Sequence, residues 1–254
     1  MITVIRLAGP LLAWPSPAKY RHRQTEAGPT LSALQGLLAA AIGNTRSEPR
    51  PAWITEVAMA VRLDHPGSVL REFHTINPVD QSRYRLLTQR DRKKVRTVVT
   101  AEGGVRKDPV VTERYYRQDQ TSVVFIDDPE GVAFHALSEP VFTLYAGRKA
   151  CVLSFPVVLG QRTGTLEQAL AATPSGARGT GPMEAILFSP PNELDAYKPT
   201  VSRPERPAGS VGDVYLMQDR YSVLVDPPRM ASWLDALASL GPEGHPGGDA
   251  HVAV

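Results

Sequence analysis

The chain has a single cysteine, Cys151, among 254 residues. That excludes an internal disulfide and any zinc site built from several cysteines. No apolar run reaches eighteen residues, so nothing reads as a membrane-spanning helix. The first residues, Met1-Ile2-Thr3-Val4-Ile5-Arg6, read as a strand and lack the cationic region and long apolar core of a signal peptide. These absences predict a cytoplasmic protein. Also missing are a Gly-x-x-x-x-Gly-Lys-Ser/Thr loop for nucleotide phosphates and a His-Glu-x-x-His helix for zinc. Gly176, Gly179 and Gly181 fall in a loop, without the strand-to-helix setting of a dinucleotide site. Neither a metal nor a cofactor is expected.

What the chain does have is positive charge collected in one place. Its net charge is only +2, yet Arg83 to Arg117 carries eleven cations against Asp91, Glu102, Asp108 and Glu113. That segment is +7, and the remainder of the chain is −5. The cations are Arg83, Arg85, Arg90, Arg92, Lys93, Lys94, Arg96, Arg106, Lys107, Arg114 and Arg117. A polyanion-binding surface has this character, because each phosphate neutralised by Lys or Arg releases condensed counterions. A solvated charged face is the alternative. The charge sits on β-forming sequence rather than a tail, which favours the binding surface.

The elements follow from periodicity and punctuation. Residues 2–7 predict a short strand ending at the turn signal Ala8-Gly9-Pro10. Leu31 to Ile42 predicts a helix capped by Thr30 or Ser32 and stopped by Gly43-Asn44, with Leu34, Leu37, Leu38 and Ile42 on one face. Residues 54–63 alternate as a half-buried strand, with Val57, Met59, Val61 and Leu63 opposite Glu56, Ala58 and Arg62. A strand over 70–75 follows the turn His65-Pro66-Gly67. A hairpin is predicted from residues 94–100 and 105–111 around Glu102-Gly103-Gly104. Then come a strand over 122–126, a short helix before Pro140, apolar segments at 152–155 and 157–159, and a helix over 165–172. Strands are predicted at 185–188, 214–217 and 221–225, with loops at 173–182 and 202–212. Met230, Trp233, Leu234, Leu237 and Leu240 have helical spacing.

The order strand, helix, strand, long insertion, strand, helix, strand predicts an α+β, ferredoxin-like (RRM-like) βαββαβ core. The long basic β-hairpin is its insertion, and a smaller β-rich extension follows. The predicted boundaries are 1–160 for the RNA-binding domain, about 76–112 for the hairpin, 161–240 for the extension and 241–254 for a disordered tail. The aromatic submotifs of the common RNA-recognition module are absent.

Three sets of residues carry a resemblance. The first is Leu7-Ala8-Gly9-Pro10-Leu11-Leu12-Ala13-Trp14, with Arg23-Gln24-Thr25, Pro29-Thr30-Leu31-Ser32 and Gly36-Leu37-Leu38-Ala39-Ala40-Ala41-Ile42-Gly43. The second is Phe73-His74-Thr75, completed by Val111-Thr112-Glu113-Arg114-Tyr115-Tyr116 and Asp119. The third is Leu144-Tyr145-Ala146-Gly147-Arg148-Lys149-Ala150-Cys151. In this order they resemble the CasD family of type I-E CRISPR Cascade subunits, over residues 3–160. The family's Gly-Arg-Arg motif stands here as Gly147-Arg148-Lys149, and Lys lacks the bidentate fork of Arg.

The resemblance implies a non-catalytic subunit that holds the 5′ handle of the guide RNA (crRNA). It implies contacts with the backbone subunit CasC and the large subunit CasA. Target DNA would be met only through the assembled complex, and no membrane is involved. The basic hairpin would occupy the place of the family's thumb. The implied RNA-binding residues are Lys19, Arg21, Arg23, His74, Arg83, Arg85, Arg92, Lys93, Lys94, Arg96, Arg106, Lys107, Arg114, Tyr145, Gly147, Arg148 and Lys149. Tyr115, Tyr116 and Tyr145 can stack on bases or pack in the core. An enzymatic alternative, as in the RNA-cutting type I-C branch, would rest on His74 with Tyr84 or Lys93 as general acid. A purely structural assembly subunit is the other alternative.

Overall fold

The computed structural model describes residues 1–14, 16, 22–45, 47–76, 110–177, 179, 181–188, 201–205 and 216–230. The hairpin turn, its tip cations and the expected C-terminal helix beyond Met230 lie outside these residues. So do the expected tail and Lys19, Arg21, Arg83, Arg85, Arg92, Lys93, Lys94, Arg96, Arg106 and Lys107.

The chain forms two compact units. The larger comprises 1–17, 25–70 and 116–254, and the smaller comprises 18–24 and 71–115. In chain order the described elements are β1 (Ile2–Leu12), β2 (His22–Arg23), α1 (Leu31–Ala41), α2 (Ala52–Glu56), β3 (Met59–His65), β4 (Ser68–Ile76) and β5 (Val110–Asp127). They continue with α3 (Val132–Ser138), β6 (Val158–Arg162), α4 (Leu166–Ala172), β7 (Met183–Leu187), β8 (Val201–Glu205) and β9 (Leu216–Val225). The strands of the larger unit run in the order β6-β1-β5-β3-β7-β9-β8, and every neighbouring pair is antiparallel.

Two apolar layers hold this sheet. On one face Ile5, Leu7, Met59, Val61, Val124 and Ile126 pack with Leu34, Leu37 and Leu38 of α1 and Leu137 of α3. On the other, Ile2, Val4, Ala60, Val123 and Phe125 pack with Leu166, Ala169 and Leu170 of α4. The Thr30 side chain caps α1 as expected. Asp128 opens α3 by accepting from Ala133 N (3.1 Å) and Phe134 N (2.9 Å). Thr165 and Gln168 form a reciprocal capping box at the start of α4.

Several expectations are corrected. β1 does not turn at Gly9-Pro10 but runs on to Leu12. Register passes from Gly9↔Gln120 to Leu11↔Gln118, so Pro10, which has no N–H to give, stands opposite Asp119. Asp119 absorbs the irregularity with φ of 55°. Residues 54–56 are helical rather than extended, because Pro51 opens the short helix α2 and Ile54 anchors it in the core. β3 is buried on both faces, since α4 covers Ala60. The strand expected at 122–126 is the end of an eighteen-residue strand, β5. Residues 216–217 of one expected strand and the expected strand at 221–225 belong to a single strand, β9. Part of the expected 202–212 loop is β8, whose Pro204 sits in a strand that, among the described residues, pairs with β9 alone.

Arg62 contradicts its expected solvent-facing place most sharply. It is fully buried, and all five of its N–H groups are used. Nε and Nη2 donate to Asp64 at 2.7 and 3.3 Å. Nη1 donates to the carbonyls of Leu170 (2.9 Å) and Thr173 (2.6 Å), and Nη2 also donates to that of Pro174 (2.8 Å). The residue therefore caps the C-terminal carbonyls of α4 from inside the protein.

Candidate nucleic-acid interface

In the larger unit a tight basic loop runs from Tyr145 to Val152. A β-bridge between those two residues closes it, Ala146 N donates to Cys151 O (2.9 Å), and Cys151 N donates to Arg148 O (2.8 Å). Gly147 is at φ of 83°, and a Cβ there would stand 1.8 Å from the carbonyl oxygen of Ala13. Only glycine fits that backbone conformation and that approach. The close contact, with Ala13 N donating to Ala146 O (3.1 Å), ties the basic loop to the end of β1. Packing against β1 thus accounts for glycine at position 147.

The tip of this loop presents Arg148 and Lys149. Lys149 is exposed and Tyr145 is half-buried. The Arg148 guanidinium lies over the ring of Tyr116, 4.7 Å from its centroid, and Tyr116 itself is buried in the core. Tyr116 therefore serves as a platform rather than a base-stacking residue. Its sequence signal was ambiguous, because neighbours on a strand face opposite ways.

A polar network missed in the sequence fixes the chain that leaves β1. Trp14 Nε1 donates to Gln120 Oε1, and Trp14 N donates to Thr25 Oγ1 at 2.8 Å. Arg117 Nε donates to Glu26 O at 3.1 Å. Of the cations in the +7 segment, Arg117 is therefore engaged with protein backbone.

In the smaller unit, β2 pairs in parallel with the start of β5, and β4 also pairs with β5. The register sets His22 beside Glu113 and Arg23 beside Arg114. His22 Nδ1 lies 3.2 Å from Glu113 Oε2, Arg71 Nη2 lies 3.5 Å from Glu113 Oε1, and Tyr115 OH donates to Glu113 Oε2 at 3.0 Å. The Tyr115 bond, ahead of the neighbouring Arg71 charge, pulls the Glu113 carboxyl below its usual range. The same bond pushes the Tyr115 phenol up. Arg23 and Arg114 stand in register on neighbouring strands. His74 Nε2 lies 2.9 Å from Glu72 Oε2, two residues back on β4. Tyr84 and Lys93, the expected acid partners of His74, lie outside the described residues.

Cys151 is fully buried, and that burial pushes its thiol pKa up, which opposes nucleophile chemistry. Among the described residues, no group of three or more His, Cys, Asp or Glu gathers as a metal site, and no helix is long and apolar enough to cross a membrane.

This architecture is shared with solved CRISPR proteins. A chain described as a CRISPR RNA-guided surveillance complex matches with a TM-score of 0.74 at 26% identity, over 94% of this chain and 98% of that one. A second, described as the crystal structure of a Cas protein, matches with a TM-score of 0.61 at 23% identity, over 90% and 98%, and shares the fold. The fold and these likenesses define a CRISPR-associated protein. The chain belongs to the family described as CRISPR-associated protein (Cas_Cas5), which matches residues 2–211. Among curated proteins it is similar to the CRISPR system Cascade subunit CasD of Escherichia coli (strain K12), 30% identical over 167 residues, covering 62% of this chain and 69% of that protein.

Proposed function

We propose that this protein is a non-catalytic, RNA-binding subunit of a type I-E CRISPR Cascade surveillance complex in the cytoplasm. In this reading it caps the 5′ handle of the crRNA and contacts the backbone subunit CasC and the large subunit CasA. The observation that carries the reading is the loop at Gly147, where a conformation open only to glycine holds Arg148 and Lys149 at the surface. The adjacent cations Arg23 and Arg114, and the +7 charge of residues 83–117, add a polyanion-binding character. The strand order β6-β1-β5-β3, with α1 and α3 on one face, supports a ferredoxin-like core over 1–160. In that core, residues of about 76–112 form the thumb insertion, 161–240 the extension and 241–254 the tail. Base pairing would read the target, leaving this subunit to hold RNA backbone and shape.

His74, with Glu72 Oε2 at 2.9 Å from its Nε2, is read here as a structural or RNA-contacting histidine rather than a general base. The test is co-expression with the remaining Cascade subunits and mapping of the bound RNA. The expected result is a crRNA whose 5′ end resists nuclease only when this subunit is present. A complete complex with an equally sensitive handle in its absence would overturn the reading. Purified protein incubated with precursor RNA in chelator is expected to leave it uncut. Cleavage lost in His74→Ala would instead establish a ribonuclease.

A further inference from the structure

We propose that Phe155 is a stacking platform for one nucleobase of the bound RNA, a role that rests on the RNA-binding reading above. Phe155 is 91% exposed, the most exposed large apolar side chain among the described residues. A phenyl ring left in water gains nothing for the fold, and a flat ring in this position offers a π-face to any base.

The backbone beneath it is fixed. Ser154 N donates to Ala8 O at 2.8 Å, and Arg6 N donates to Val157 O at 2.7 Å. Arg6 Nη1 donates to the carbonyl of Phe155 itself at 3.4 Å. The segment is therefore pinned against β1 on both sides of Phe155, and the ring projects from an anchored bend rather than from a free loop. Val152, which closes the basic loop, lies three residues before it, at most about 10 Å of chain away.

The charge around Phe155 selects the occupant. Residues 140–166 contain Arg148, Lys149 and Arg162 and no Asp or Glu, and the strand it is pinned against, Ile2–Leu12, adds Arg6 and no acid. An exposed aromatic ring on an acid-free stretch of chain, with the Arg6 guanidinium on its own carbonyl, suits an anionic strand of stacked bases. The Arg148 loop would hold the backbone while Phe155 holds a base nearby.

The test titrates the full-length protein with handle RNA carrying 2-aminopurine at successive positions near the 5′ end. Wild-type protein is expected to change the fluorescence of one position through stacking. Phe155→Ala and Phe155→Leu are expected to remove that change and weaken binding about five- to a hundred-fold, and Phe155→Tyr to retain both. The salt slope should stay as in wild type, since no phosphate contact is lost. Unchanged binding and fluorescence in Phe155→Ala would overturn the stacking role while leaving the RNA reading intact. Normal RNA binding combined with failure to assemble with the other subunits would assign Phe155 to a protein interface instead. Failure of the wild-type protein and of its assembled complex to bind RNA would overturn both.

Discussion

The guanidinium of Arg148 lies 4.7 Å from the centroid of the Tyr116 ring, and Tyr116 is only 3% exposed. A ring fixed by the core cannot swing away, so it restrains a long side chain that would otherwise sample many rotamers. The order is in place before any anion arrives, which lowers the entropy cost of binding one.

Tyr116→Phe is accordingly expected to keep RNA affinity, and Tyr116→Leu to lower it about two- to thirty-fold, the range of a cation–π contact. Arg148→Ala should reduce the slope of log affinity against log salt by about 0.7, the value for one phosphate on a single strand. Filter binding at several salt concentrations measures both. An unchanged slope would mean that Arg148 does not neutralise a phosphate.

Gly147→Ala should destabilise the protein by at least about 1–2 kcal/mol, from the left-handed backbone alone, with the clash against Ala13 O added. Gly36→Ala is the control. Gly36 lies in α1 with nothing within 4 Å of a built Cβ, and the change there should stabilise by about 0.5–1 kcal/mol. Thermal unfolding of the two variants should move in opposite directions.

Arg62→Met should cost about 3–5 kcal/mol, because it strands Asp64 in the interior and leaves the carbonyls of Leu170, Thr173 and Pro174 without donors. Denaturant titration is the measurement. A loss under 1 kcal/mol would show that the buried guanidinium is replaceable by a simple apolar filling.

Glu113 and Tyr115 give a prediction with two signs. The Tyr115 phenol is raised above its ordinary 10.0 by its bond to Glu113, so the associated stability is full below pH 10.0 and lost as pH climbs through the raised value. The Glu113 carboxyl is lowered below 4.5, so its share is full above that pH and lost as pH falls through the lowered value. Glu113→Gln should return the phenol towards 10.0 in an ultraviolet titration.

The two helices with clear caps, α1 and α4, were readable because Thr30 and Thr165 sit immediately before apolar, helix-forming runs. β3 was misjudged for a physical reason. Alternation assumes one wet face, and a sheet covered by α1 and α4 has none for β3 to present. An arginine at an inward position reads as exposed until the helix end that it satisfies, more than a hundred residues later, is known. The basic loop was legible as a motif at Gly147-Arg148-Lys149. Its true constraint, the carbonyl of Ala13, lies far away in sequence and leaves no local signature. The turn misread at Gly9-Pro10 has the same origin, since Asp119 across the ladder supplies the irregularity that proline requires.

The single cysteine has a consequence for measurement. Its backbone closes the basic loop from both sides, through Ala146 and Arg148, while its thiol is fully buried. A thiol reagent can reach it only when that part of the fold opens. The rate of modification under native conditions therefore reads out the opening equilibrium of the loop. An RNA that clamps Arg148 and Lys149 should slow the reaction in proportion to its occupancy. The wild-type chain thus carries its own reporter of loop closure, with no label to introduce and no second thiol to confuse the signal.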